Sequence, residues 1–188
     1  MVAKGKSSKE AISILDWFQL RARDLPWRQM GDPYATWVSE IMLQQTRVEV
    51  VIPYFEAFIK RFPSIEVLAN AQEEEVLSYW AGLGYYKRSR LLLKAARVIQ
   101  SEMDGVLPCD SATLRRLPGI GDYTAAAIAS ISFQERIPVV DGNVCRVAAR
   151  FLGLKSPLGS SVLRGQARDW GETLHAGVSA GSAGQLNE

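Results

Sequence analysis

Apolar residues recur at helical spacing along nearly the whole chain. Ile12, Leu15, Phe18 and Leu20 mark a first amphipathic helix. Asp32-Pro33 has the form of a helix start, with aspartate as N-cap and proline in the first turn. The apolar positions that follow carry this helix to about Gln45 and place Glu40 in its middle. A further striped segment runs from Val48 to about Phe62, interrupted by Pro53. The stretch Glu73 to Ala81 opens on acids, as a helix N-terminus should. Tyr85 to Ser101 is long and periodic, through Leu91, Leu92, Ala95, Val98 and Ile99. Thr113 to Leu117 and Asp122 to about Phe133 flank a Leu-Pro-Gly-Ile-Gly turn, and helices are expected over Val144 to Leu152 and Ser160 to about Leu174. No strand-like alternation of useful length is present, and Pro138-Val139-Val140 is too short to build a sheet. The pattern predicts an all-α fold.

The end of the chain changes character. Ala176 to Gln185 is rich in glycine, alanine and serine, continues no apolar stripe and reads as a disordered tail. With 188 residues, 47% of them hydrophobic, the chain can build one or two domains with a core. The net charge of +2 does not by itself mark a nucleic-acid binder, although Lys87, Arg88, Arg90, Lys94, Arg115 and Arg116 could form a basic face. Two cysteines, Cys109 and Cys145, without a CxxC pair suggest neither a disulfide framework nor a zinc site and fit a reducing, intracellular setting. No apolar run approaches the roughly 18 residues of a membrane span, and the start, Met1 to Lys6, lacks the apolar core of a secretory signal. His175, the one histidine, reads as an incidental surface residue.

Chemistry enters at the turn. A Pro-Gly-x-Gly hairpin, Pro118 to Gly121, can aim backbone N–H groups at an anion, because glycine tolerates φ > 0 and puts no Cβ in the way. The helix from Asp122 adds the positive end of its dipole. Just beyond it, Val140-Asp141-Gly142-Asn143 supplies a lone carboxylate that would also serve as an N-cap. An anion held by backbone donors beside a carboxylate suggests phosphate docking next to acid–base chemistry. Glu40, among Trp37, Val38, Ile41, Met42 and Leu43, is a second carboxyl in an apolar setting that could favour its protonated form. On spacing alone Glu40 would be a surface helical glutamate, Trp27 and Tyr85 core aromatics, and Gln44 and Gln45 a polar helix end.

Three blocks in order carry a resemblance: Leu25-Pro26-Trp27-Arg28 with Trp37-Val38-Ser39-Glu40-Ile41-Met42-Leu43-Gln44-Gln45-Thr46, then Gly82-Leu83-Gly84-Tyr85-Tyr86-Lys87-Arg88, then Leu117 to Ala125 with Asp141. Over roughly residues 10–178 the chain resembles the MutY-type adenine DNA glycosylases of the helix-hairpin-helix, Gly/Pro-Asp superfamily. The resemblance implies a six-helix barrel domain over 29–137, with the helix-hairpin-helix at about 113–133. It implies an incomplete second domain from residues 1–28 and 138–178, followed by the disordered 179–188. It makes Glu40 the acid that protonates adenine and Asp141 the carboxylate that stabilises the sugar cation, a division of labour in which two carboxyls are held in different protonation states. Asn143 would orient Asp141. Tyr123 stands where strand-cutting relatives have a lysine; a phenol cannot form the imine, so a monofunctional enzyme is implied. Leu43, Gln44, Gln45, Tyr85 and Arg88 would contact DNA, Gln45 and Tyr85 as wedges. Trp27 and Arg28 would line the adenine pocket, and Leu117, Gly119 and Gly121 would hold a phosphate, in this family often through a monovalent cation.

The same resemblance implies double-stranded DNA with adenine opposite 8-oxoguanine or guanine as partner and a monomer with some tendency to associate. Localisation would be cytoplasm or nucleoid in a bacterium, nucleus or mitochondrion in a eukaryote. Relatives carry a [4Fe–4S] cluster on four cysteines spaced C-x6-C-x2-C-x5-C, whose ligands are missing here, and part of the pocket and the 8-oxoguanine-reading domain are missing too. Apolar faces of the Val144 and Ser160 helices are therefore expected to be partly uncovered. Two alternatives remain: a DNA-binding remnant without turnover, and, against Tyr123, a bifunctional lyase of endonuclease III type.

Overall fold

A computed structural model describes residues 4–188, all helix and connecting loop with no strand among them. The helices are α1 (Lys4–Arg21), α2 (Pro26–Met30), α3 (Pro33–Leu43), α4 (Val48–Arg61), α5 (Ile65–Ala69), α6 (Glu73–Trp80) and α7 (Lys87–Glu102). They continue with α8 (Ser111–Leu114), α9 (Asp122–Phe133), α10 (Gly142–Leu152), α11 (Ser161–Ala176) and α12 (Ala183–Asn187), the last preceded by a 3-10 turn at Ala180–Ser182. Two compact units result, one of residues Asp24–Ile128 and one joining the segment up to Arg23 with Ala129–Glu188.

The Asp24–Ile128 unit is built on aromatic packing. Phe58 and Trp80 meet edge to face at 6.0 Å, and Phe58 lies 4.8 Å from Phe62. Trp37, Phe55 and Trp80 are fully buried, each removing a large apolar area from water. Asp32 caps α3, its Oδ1 accepting from the Tyr34 amide at 3.0 Å. The expected interruption of α4 does not occur: the helix runs through Pro53, because its apolar stripe, Val51, Phe55 and Phe58, is fully buried. That burial offsets the loss of one helical hydrogen bond. The boundary expected at residue 28/29 falls at 23/24 instead. Trp27 is buried with its ring edge-on to Phe55 at 5.2 Å, which draws α2 into this unit.

The second unit gathers α1, the end of α9, α10, α11 and α12. Asp141 caps α10, and Gly153 at φ 66 closes it in the left-handed conformation. Cys145, Ala148, Leu163 and Ala167 form the core between α10 and α11. Val147, Phe151 and Val162 are more than half exposed, as the expectation of uncovered apolar faces required. Residues 1–3 of the expected N-terminal helix lie outside the described residues.

Three expectations are overturned here. The tail is ordered as α12, with Ala183 fully buried. Its small residues permit close backbone approach: a Cβ at Gly184 would sit 2.9 Å from Ile131 Cα and 3.0 Å from the Ser130 carbonyl. The same contact draws the end of α9 into this unit, so the boundary lies at 128/129, not 137/138. His175 is no surface residue. It is 3% exposed, and its Nε2 lies 3.3 Å from Asn187 Oδ1. Asn187 in turn accepts from the Val139 amide at 3.0 Å and donates to the Ile137 carbonyl at 2.8 Å. α12 thus pins the segment that leads into Asp141.

Burial pulls the His175 pKa below its ordinary 6.5; the Asn187 hydrogen bond opposes the shift and the Arg136 charge adds to it. A depressed folded pKa means that the unfolded chain binds the proton more readily. Stability therefore holds above about pH 6.5 and falls as the pH drops below it. Urea midpoints measured between about pH 7.5 and 5.5 should show this fall, and His175→Gln should flatten it. Gly184→Val should cost about 1–3 kcal/mol by the same measurement; an unchanged midpoint would mean that the tail does not pack.

Candidate functional site

In the Asp24–Ile128 unit, the sequence motifs converge on the end of α3 and the loop before α7. Glu40 is half-buried on α3, flanked by buried Ser39 and Ile41. The helix ends at Leu43, two residues earlier than expected, and Gln45 turns the chain at φ 60. That left-handed position after a helix usually carries glycine, so nothing in the sequence announced the stop. Tyr85 adopts φ 49 just after Gly84. Gln45 and Tyr85 are both exposed, Tyr85 at 61%. Non-glycine residues at positive φ concentrate where function demands an awkward conformation. Leu43 is half-buried beside them, and the Gln44 side-chain amide donates to Thr124 Oγ1 at 3.2 Å, which ties this loop to α9.

Arg88 was expected to face DNA and does not. It is 8% exposed, and its guanidinium donates inward to the carbonyls of Ile41, Met42 and Gln44, to Thr46 Oγ1, and to the carbonyls of Leu83 and Gly84. Desolvation pulls its pKa below the usual arginine value. Both Nη groups are spent on protein and the Nε–H is buried, which leaves little to offer a phosphate. Only hindsight finds the signal: an arginine one residue into a helix that follows a glycine-rich turn. Trp27 likewise serves as core against Phe55, while Arg28 beside it is half-buried.

The hairpin lies in this unit too. Asp110 caps α8 by accepting from the Thr113 amide at 2.8 Å, and Leu117 is buried as the anchor of the turn. Gly119 takes φ 80, and a Cβ there would meet Leu91 Cβ at 2.8 Å, so both the conformation and the packing require glycine. Gly121 is exposed, with open space where a Cβ would sit. Tyr123 stands 40% exposed in the first turn of α9. A left-handed glycine followed by a helix N-terminus suits an oxyanion.

In the other unit, Asp141 is held on both oxygens. Oδ1 accepts from the amides of Asn143 at 2.8 Å and Val144 at 2.7 Å, and Oδ2 accepts from Asn143 Nδ2 at 2.9 Å. Asn143 is itself fixed by a hydrogen bond from Arg146. Three N–H donors at the start of the helix thus fix the orientation of both carboxylate oxygens.

No group of three or more His, Cys, Asp or Glu side chains among the described residues could hold a metal ion. Cys109 is exposed and Cys145 buried, in different units. Two such cysteines do not fit an iron–sulfur cluster, which needs about four thiolates in one place. No described helix is long and apolar enough to cross a membrane.

Comparison with known proteins places the fold among base excision repair proteins. Residues 38–168 match the model of the HhH-GPD superfamily of base excision DNA repair proteins. The chain is 44% identical over 168 residues to the adenine DNA glycosylase of Homo sapiens, covering 85% of this chain and 30% of that protein. It is 47% identical over 140 residues to the adenine DNA glycosylase of Mycolicibacterium smegmatis, covering 74% and 48%. It thus spans between about a third and a half of these relatives. A thermostable thymine-DNA glycosylase structure superposes with a TM-score of 0.84 at 27% identity, covering 98% of this chain and 84% of that one. An endonuclease III trapped on DNA gives 0.77 at 20% identity, covering 100% and 84%, and shares the fold.

Asp141→Ala should cost about 1 kcal/mol of stability through the lost cap, whereas Asp141→Asn should cost far less, because an amide oxygen still accepts. Denaturation of both variants checks the capping role independently of any activity.

Proposed function

We propose, for a chain that belongs to the HhH-GPD superfamily of base excision DNA repair proteins, that its residues carry the catalytic half of an adenine DNA glycosylase. Its substrate would be double-stranded DNA with adenine opposite 8-oxoguanine or guanine. The observation that carries the proposal is the contrast between two carboxyls. Glu40 is half-buried within a helix whose neighbouring residues are mostly buried, whereas Asp141 is held by three N–H donors at a helix start. Unlike environments are what an acid and an anionic stabiliser need.

In this scheme Glu40 donates its proton to the adenine ring as the C1′–N9 bond breaks, and the base leaves with the bonding electrons. The sugar becomes an oxocarbenium ion, whose positive charge the Asp141 carboxylate stabilises. Glu40, now a carboxylate, takes a proton from the water that adds to C1′, leaving an abasic site. Asn143 keeps both oxygens of Asp141 in place. Gln45 and Tyr85 fill the space left by the extruded base, Gln44 and Leu43 support them, and Arg28 borders the base pocket. The backbone amides at Gly119 and Gly121 hold a backbone phosphate, and the Leu117 carbonyl would join them only through a monovalent cation. Tyr123 has no amine, so no imine forms and the strand stays intact. Such an enzyme works inside cells, in the nucleoid, nucleus or mitochondrion.

Single-turnover release of adenine from a duplex with A opposite 8-oxoguanine should be abolished in Glu40→Gln. It should fall by about 100-fold or more in Asp141→Asn, with folding unchanged. Borohydride should trap no covalent complex. Absence of release by a folded, duplex-binding wild-type chain would replace the proposal with a DNA-binding module lacking turnover.

A further inference from the structure

The end of α3 raises a physical problem that Arg88 solves. The last carbonyls of any helix lack intrahelical partners and carry the negative end of the dipole. Here the helix closes with no glycine: Gln44 is its cap and Gln45, at φ 60, takes the left-handed place. Arg88 Nη1 reaches the carbonyls of Ile41, Met42 and Gln44 at 3.0, 2.7 and 2.6 Å. Nη2 of the same guanidinium reaches Thr46 Oγ1 at 3.1 Å and the carbonyls of Leu83 and Gly84 at 3.4 and 3.2 Å. One planar fork therefore joins two loops far apart in sequence. The first contains Gln45 and the second leads directly into Tyr85. The guanidinium also lies over the Tyr85 ring, 5.4 Å from its centroid, and over Trp80 at 5.5 Å. The Trp80 indole N–H donates to the same Gly84 carbonyl at 3.1 Å.

We propose that Arg88 is a positioning residue that sets Gln45 and Tyr85 as one rigid wedge, so that its loss impairs extrusion of the target base more than binding of the duplex. The proposal rests on the wedge roles assigned above. Both wedge residues hold positive φ, a conformation that relaxes unless its surroundings fix it. Arg88 touches the Gln44 carbonyl and the Thr46 hydroxyl on either side of Gln45, and the Gly84 carbonyl immediately before Tyr85, so it acts where that relaxation would begin. Lysine cannot substitute, because three donors on a single nitrogen cannot span both loops as a fork does.

The test uses Glu40→Gln chains, in which chemistry is stopped, and a duplex with 2-aminopurine at the adenine position opposite 8-oxoguanine. Unstacking of the probe raises its fluorescence. Arg88→Lys should reduce the extrusion equilibrium about tenfold, while affinity for a fully paired duplex changes less than about twofold. Because Arg88→Lys risks the fold, Thr46→Val is the companion: it removes one acceptor of the fork and, apart from a 3.5 Å hydroxyl contact to Gln44, leaves the helix-end carbonyls to Arg88. It should reduce extrusion about two- to threefold with the urea midpoint unchanged. Extrusion equal to the parent chain in both variants, or a matching loss of paired-duplex affinity, would overturn the positioning role. A parent chain that binds the duplex without any fluorescence rise would instead overturn the wedge assignment on which it rests.

Discussion

A buried guanidinium is the constraint on which the Asp24–Ile128 unit turns. Taking a permanent charge out of water costs several kcal/mol unless polar partners replace the lost hydration. Arg88 obtains those partners from the end of one helix and the loop before its own. Those groups needed a donor as much as the cation needed acceptors. The helix end, the glycine-rich loop and the two exposed side chains beside them are therefore fixed together. A loop held by a single buried charge is stiff, which is what the proposed wedge would need.

The second unit rests on the opposite device, the absence of side chains. Gly184 against α9, Gly171 against Pro138 and Gly177 against Ser8 each leave no room for a Cβ. Close approach brings α12 near enough for Asn187 to hold the residues just before Asp141. The position of the capping aspartate thus depends on packing some forty residues downstream in sequence. His175 is drawn into the same arrangement, and its burial ties this unit's stability to pH.

The two carboxyls of the proposed site sit in unlike environments. Asp141 has its charge supported by backbone and side-chain N–H groups, whereas Glu40 lies on a helix with buried residues to either side. Neither setting is unusual alone. The proposed chemistry asks for two carboxyls in such unlike settings.

The sequence by itself determined the helical class, most helix spans and the hairpin, because those depend on local periodicity, caps and glycine. Asp32, Asp110 and Asp141 cap helices within a few residues of themselves, and two of these starts were legible directly. Motif resemblance supplied the candidate site residues, since their chemistry follows from residue type. Tertiary structure decided the rest. The arginine of the second block became an internal clamp, a tryptophan expected in a pocket packed against Phe55, Pro53 failed to break α4, and a glycine-rich tail folded into a helix. In each case the outcome was set by what lay across space: carbonyls awaiting a donor, an aromatic core, or a backbone close enough to admit only hydrogen. Such partners are distant in sequence, so no local pattern announces them.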